Sequence, residues 1–179
     1  MRFIVREYLE CARCPLSKFR RNIVFGRGCL PARILFVGEA PGVSEDLLGI
    51  PFIGPSGRIL DRAIATATQV CRLKDPPSFF ISNCVACRPT DIRRGPNRQP
   101  EFEEFYACWP RLEKTHSVVS PRRVVLLGKV AQGFLARVWP EAYRLPHPAF
   151  ILRSGGVTSP HFRAFVRDLS AIFKEVTDV

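Results

Sequence analysis

Two thiols stand three positions apart in Cys11-Ala12-Arg13-Cys14, a C-x-x-C pair able to hold one metal ion or two corners of a cluster. A redox pair has the same spacing, but the βαβ context expected of one is missing. Further ligands must come from Cys29, Cys71, Cys84, Cys87 and Cys108. Cys87 lies in an Arg- and Pro-rich loop and Cys108 on the helix after it, whereas Cys29 and Cys71 have turn or apolar neighbours and read as ordinary buried thiols. With no second C-x-x-C, spacing leaves zinc and iron–sulfur both open. Seven cysteines without a recognisable export signal fit a reducing, cytoplasmic setting in which clustered thiols serve a metal.

A second group of residues could do acid–base chemistry. His147 is held between Pro146 and Pro148, which stiffen the backbone and fix where the imidazole points. A neutral histidine in such a setting can donate a hydrogen bond to developing negative charge. Asn83 follows an apolar run, and its amide offers an acceptor and two donors to a base edge, although capping is a common use of such a residue. Glu39, Glu45 and Asp46 are carboxylates in a basic chain and candidate general bases, against the alternative of a solvated acidic loop. Phe52, between Pro51 and Ile53, is either a stacking platform for a base or a plug beneath its loop.

The elements that must position these groups alternate. Ile34–Val37, Phe79–Ser82 and Val124–Leu127 are short apolar runs of buried-strand type, and 143–145 reads as a short last strand. The glycine-rich turn Gly38–Gly42 follows the first strand, and an acidic loop leads to Gly54-Pro55-Ser56-Gly57. There a helix begins, with Ile59, Leu60, Ala63, Ile64 and Ala67 on one face. Such a strand–loop–helix unit places a ligand at the carboxyl edge of an open sheet, with the helix start as a phosphate contact.

Residues 1–10 read as an amphipathic helix with Phe3, Ile4, Tyr8 and Leu9 facing inward. Phe102, Phe105, Tyr106, Trp109 and Leu112 predict a helix that kinks or ends near Trp109 because of Pro110. Lys129 opens a helix to about residue 138, and Phe162, Phe165, Val166, Leu169, Ile172 and Phe173 stripe a final one. The expectation is a single α/β domain over 1–179, three layers α/β/α around a mostly parallel four-stranded sheet.

The 179 residues carry a net charge of +11, which points to a polyanionic partner, nucleic acid before membrane. No apolar run is long enough to span a bilayer. After His147, Ala149-Phe150-Ile151-Leu152-Arg153 reads as an apolar tip able to wedge into a base step.

Together these stretches resemble the family 4, iron–sulfur uracil-DNA glycosylases. The matching motifs are C-x-x-C at Cys11, GEAPG at 38–42, EDLLGIPFIGPSGRILD at 45–61, SNCVACRP at 82–89, PNRQPEFEEFYAC at 96–108, VVLLGKVA at 124–131 and HPAFILR at 147–153. They cover most of the chain in family order. The resemblance implies a [4Fe-4S] cluster on Cys11, Cys14, Cys87 and Cys108. It also implies excision of uracil from single- or double-stranded DNA by a monomer.

In that reading, Gly38, Ala40 and Gly42 line the base pocket, Phe52 stacks on the flipped uracil and Asn83 reads its edge. His147 stabilises the leaving anion. Glu39 and Glu45 are the acid–base groups, Glu45 being the nearest helper where the better-known relatives carry an aspartate in place of Ala40. Ser56, Gly57, Lys129 and Arg153 contact DNA. The loop Thr90–Gly95 is longer than the family's, and the segment 138–147 is shorter. A different reading is a non-catalytic iron–sulfur DNA-binding module, and a third is a zinc-stabilised nucleotide-binding protein.

Overall fold

The computed structural model describes residues 6–177. Five strands form one sheet in the order β1-β3-β2-β4-β5: β1 Arg27–Gly28, β2 Ile34–Gly38, β3 Phe79–Asn83, β4 Arg123–Leu127 and β5 Tyr143–Leu145. β2 to β5 run parallel, and β1 pairs antiparallel with β3. The sheet therefore has one strand more than the four expected. β1 is two residues long, shorter than any periodic signal, and exists only through its pairing with Phe80 and Ile81.

The helices are α1 Val43–Leu48, α2 Pro55–Val70, α3 Phe102–Val119, α4 Lys129–Leu135, α5 Pro148–Arg153 and α6 Pro160–Thr177, with two 3-10 turns at Pro15–Lys18 and Gly156–Thr158. Strand residues alternate between two cores. Ile34, Phe36, Ile81, Val125 and Leu127 pack against α2 and α6 on one face. Leu35, Val37, Phe80, Val124 and Leu126 pack against Leu16 and the α3 residues Phe105 and Leu112 on the other. This is the three-layer arrangement, and the whole α6 stripe from Phe162 to Phe173 is buried. None of the described helices is long and apolar enough to cross a membrane.

Three local readings need correction. The stretch after Gly42 is the helix α1, closed by Gly49 in the left-handed region (φ 72°), where the sequence suggested a loop. α3 runs through Pro110 to Val119. Pro110 is exposed, and the Tyr106 carbonyl that loses its partner sits on a turn whose side chain is 71 % exposed, so water satisfies it. For the same reason Phe102 and Tyr106 face solvent, and only part of the expected stripe is core. Near the N-terminus residues 6–8 are helical and Tyr8 is buried, but Leu9 is exposed; Phe3 and Ile4 lie outside the described residues.

Candidate active site and thiol cluster

The register brings the strand ends to one edge. Gly38 lies opposite Asn83 and Leu127 opposite Leu145, so the turn after β2, the end of β3, Gly128 and His147 converge. β2 has β3 on one side and β4 on the other, the point at which open α/β sheets leave a crevice. A cavity of about 370 Å³ occupies it. Glu39, Ala40, Gly42, Phe52, Asn83 and His147 line it, joined by Glu45, Ser56 and Arg153, so three distant motifs meet in one place.

Asn83 is 2 % exposed, and its side-chain amide has no hydrogen bond among the described residues, while its carbonyl accepts from Arg111 at 2.7 Å. The amide is thus positioned by its backbone and left open toward the cavity. Gly38 makes this possible. A Cβ there would lie 2.4 Å from Phe52 Cζ and 2.6 Å from Asn83 Oδ1, so both side chains close over a bare backbone.

Phe52 is buried and adopts a positive φ of 54°, a conformation costing a non-glycine residue about 1 kcal/mol. Its loop is fastened by Arg27, which donates to the carbonyls of Pro51 (3.0 Å) and Phe52 (3.4 Å) and pairs with Asp61. Gly57 completes the seat: a Cβ there would meet the Phe52 carbonyl oxygen at 1.8 Å. Gly57 is buried and packs the start of α2 under Phe52, which corrects its expected place on the DNA-facing surface. The Phe52 and His147 rings stand 5.8 Å apart between centroids.

His147 is the N-cap of α5, and its Nδ1 accepts the Ala149 N–H at 3.1 Å. That bond assigns the proton of the neutral ring to Nε2, leaving one N–H free to donate. Burial, helped by the nearby Arg153 guanidinium, pushes its pKa down to about 4. The ring is therefore a neutral donor at pH 7.

The candidate bases part company: Asp46 is buried and does not line this cavity, whereas both glutamates do. Glu45 is buried, and its oxygens accept from the backbone N–H groups of Gly42 (3.1 Å), Ile53 (3.1 Å) and Gly54 (2.8 Å). It clasps the β2 turn to the start of α2 and has little capacity left for a water. Glu39 has no side-chain hydrogen bond among the described residues, and burial raises its carboxyl above the ordinary range. Lys129 opens α4 at an exposed position in a separate depression with Phe102 and Arg137, away from this cavity, because α4 starts on the far side of Gly128. The tip after His147 is the helix α5, with Ile151 buried and Phe150 and Leu152 exposed at 42 % and 40 %.

Sequence reasoning passed over Asn97 and Arg98, which also line the cavity. Arg98 makes two hydrogen bonds to the buried carboxylate of Glu104, at 2.8 and 2.6 Å, and Glu104 also accepts the Glu101 N–H at 2.8 Å. The acidic start of α3 was the available signal, since a buried glutamate there needs a cation.

The thiols form a second assembly behind Asn83. Burial raises the Cys14 thiol, with Cys108 and Cys11 among the neighbouring charges. Burial likewise pushes Cys87 up to about 12, offset by Arg20, with Cys108 and Cys14 nearby. Donors aim at these sulfurs: Ala86 N–H at 3.4 Å and Arg111 at 3.6 Å from Cys108 Sγ, and Arg20 at 3.7 Å from Cys87 Sγ. Among the described residues no three side chains are grouped to hold a single metal ion.

Arg111 is 1 % exposed, and among the described residues it has no carboxylate partner and its Nε has no hydrogen-bond partner. A buried guanidinium that donates toward Cys108 Sγ and adjoins Cys84 fits an anionic, multi-thiolate group, which would supply both a counter-charge and an acceptor. Cys84 is wholly buried and Cys71 packs on the α2–α6 core, donating to the Ser170 carbonyl, but Cys29 is exposed, against expectation, at the end of the short β1.

The model of the uracil DNA glycosylase superfamily matches residues 25–170. A type-4 uracil-DNA glycosylase of Pyrobaculum aerophilum is 34 % identical over 92 % of this chain and 88 % of its own length. One of Saccharolobus solfataricus is 39 % identical over 74 % of this chain and 57 % of its own length. One of Thermotoga maritima is 37 % identical over 75 % of this chain and 65 % of its own. The chain thus spans little more than half the length of one of these relatives.

Proposed function

Since the chain belongs to the uracil DNA glycosylase superfamily, we propose that it removes uracil from DNA by hydrolysing the N-glycosidic bond. The observation that carries this is the cavity in which an open Asn83 amide, the Phe52 face and the free Nε2–H of His147 look onto one space. A base inside a duplex or a stack is out of reach, so uracil must turn out into this cavity, at a cost of a few kcal/mol. Phe52 stacks on the ring, and Asn83 donates to O4 and accepts from N3–H, a pattern that cytosine reverses.

The C1′–N1 bond then breaks with its electron pair going to the base. His147 Nε2–H donates to O2 of the uracil anion as it forms, so the bond is strongest in the transition state. A water adds to C1′ and gives its proton to Glu39, leaving an abasic site, and the departing uracil anion takes up a proton from solvent. Glu45 keeps the turn in place without entering the chemistry. Ser56 and Arg153 contact backbone phosphates at the rim, and exposed Phe150 and Leu152 occupy the gap in the stack.

The thiols Cys11, Cys14, Cys87 and Cys108 would hold a [4Fe-4S] cluster, which would tie the N-terminal segment to α3 and to the loop after β3. The type-4 naming of the relatives and the uncompensated Arg111 support that assignment. Bound there, the cluster supplies a structural tie and a negative charge, and the protein works as a monomer.

The deciding experiment incubates the protein with a uracil-containing oligonucleotide and cleaves abasic product with alkali. Cleavage at the uracil position is expected. Tight DNA binding without abasic product at any protein concentration would leave a binding module in place of the enzyme.

A further inference from the structure

A second cavity, of about 520 Å³, lies beyond α1 from the base pocket. Arg20, Arg21, Arg88, Arg93 and Arg94 line it, against the single acid Asp46. Among the described residues that acid forms no ion pair with any of them. Its Oδ1 accepts the backbone N–H groups of Arg21 at 2.8 Å and Asn22 at 3.3 Å, which pins the arginine turn to α1.

The opposite wall is the 90–95 loop, and it is built rather than loose. Thr90 Oγ1 donates to the Ile92 carbonyl at 2.9 Å, Gly95 N–H donates to the same oxygen at 3.1 Å, and Arg98 N–H closes the loop on the Pro89 carbonyl at 3.1 Å. Arg94 is held at a positive φ of 59°. The loop's own acid, Asp91, is taken by Arg98 at 2.8 Å. Arg93 and Arg94 remain exposed and make no hydrogen bond or ion pair among the described residues. Arg88 is 5 % exposed, fixed by Asn97 Oδ1 at 2.6 Å and by the Gly95 carbonyl, and has no carboxylate partner among the described residues. A buried guanidinium without an anion among the described residues, beside a cavity lined by four more, favours a negative ligand there.

The structure assigns this cavity to backbone phosphates of the DNA strand whose base enters the pocket. Guanidinium groups suit phosphate oxygens through paired hydrogen bonds. α1 separates the two sites, with Glu45 toward the base pocket and Val43 and Leu47 toward the arginines. A helix with its side chains is about 10–12 Å across, and one strand advances about 3.4 Å per nucleotide. The phosphate in the cavity is therefore about three nucleotides from the turned-out base. The assignment rests on the excision reading only for where the base sits; the arginine cavity itself requires only DNA.

The test compares the wild-type protein with R93A/R94A, both residues being exposed and outside the core. Binding to undamaged and uracil-containing oligonucleotides is measured over a range of salt. The slope of log Kd against log salt is expected to fall by about 1–2 in the variant, as two phosphate contacts are lost. An unchanged slope overturns the proposal. Oligonucleotides shortened toward the uracil from either end give the second readout. The difference between the proteins should vanish once fewer than about three nucleotides remain on one side, and a difference that persists on substrates trimmed at both ends overturns the placement. A wild-type protein that binds but never excises would sink the function proposed above, while the slope on undamaged DNA still decides this one.

Discussion

In the proposed reaction His147 acts through Nε2–H, the donor left free by the bond from the Ala149 N–H to Nδ1. His147→Ala should lower the excision rate by about 100- to 1000-fold, the effect of one lost donor to a developing oxyanion, with DNA affinity nearly unchanged. Single-turnover kinetics check this, and an intact rate would remove His147 from the mechanism. Asn83→Asp should relax discrimination against cytosine, read as excision of cytosine from an otherwise identical oligonucleotide.

The pH dependence separates the acid from the histidine. In the proposed reaction Glu39 acts ionised and its pKa is raised, whereas His147 acts neutral and its pKa is pushed down to about 4. Both requirements make activity fall as pH falls, Glu39 failing first and His147 only near pH 4. In Glu39→Gln the residual rate should lack the earlier break and hold until the histidine protonates; a wild-type profile in the variant would assign the break elsewhere. In Glu39→Gln no break is expected at 6.5, the value of an unburied histidine.

At the scale of elements, the site depends on strand ends and the close approaches between them. The β2 end at Gly38 has no room for a methyl group. Gly38→Ala should therefore displace Phe52 or Asn83 and weaken uracil binding, raising KM and lowering kcat together, while the circular dichroism spectrum stays that of the folded protein. The strands β2, β3 and β4 and the helices α2 and α6 were legible from apolar runs and helical spacing, since each is long enough to show its own period. α1 and β1 were not. α1 is a six-residue helix organised by Glu45 reaching to Ile53 and Gly54, and β1 is two residues held by β3. Passage of α3 through Pro110 was equally hidden, because it turns on which way the proline faces.

Across the whole molecule, Arg111 joins the thiol assembly to the base pocket. It donates to Ser82 Oγ, to the Asn83 and Cys84 carbonyls and toward Cys108 Sγ. Cys108→Ala should lose iron, measured by visible absorption and metal analysis, and should also lower the melting temperature. Arg111→Met keeps the volume but removes the charge and the donors. It should destabilise any retained cluster and loosen Asn83; full iron content with unchanged base selectivity would show that the two sites are independent.

The sequence by itself determined the alternation of strands and helices, the excess of positive charge and the residue types able to hold metal or meet a base. Each of these is written in local periodicity or in simple counts. Only the tertiary structure decided which of two similar glutamates is free, because Glu45 is consumed by N–H groups eight and nine positions on and Glu39 by none. It also decided that Lys129 stands apart while Asn97 and Arg98 join the cavity, and that five arginines from three segments share one hollow. Those outcomes follow from desolvation and hydrogen-bond partners supplied across long stretches of chain, which spacing along the sequence does not record.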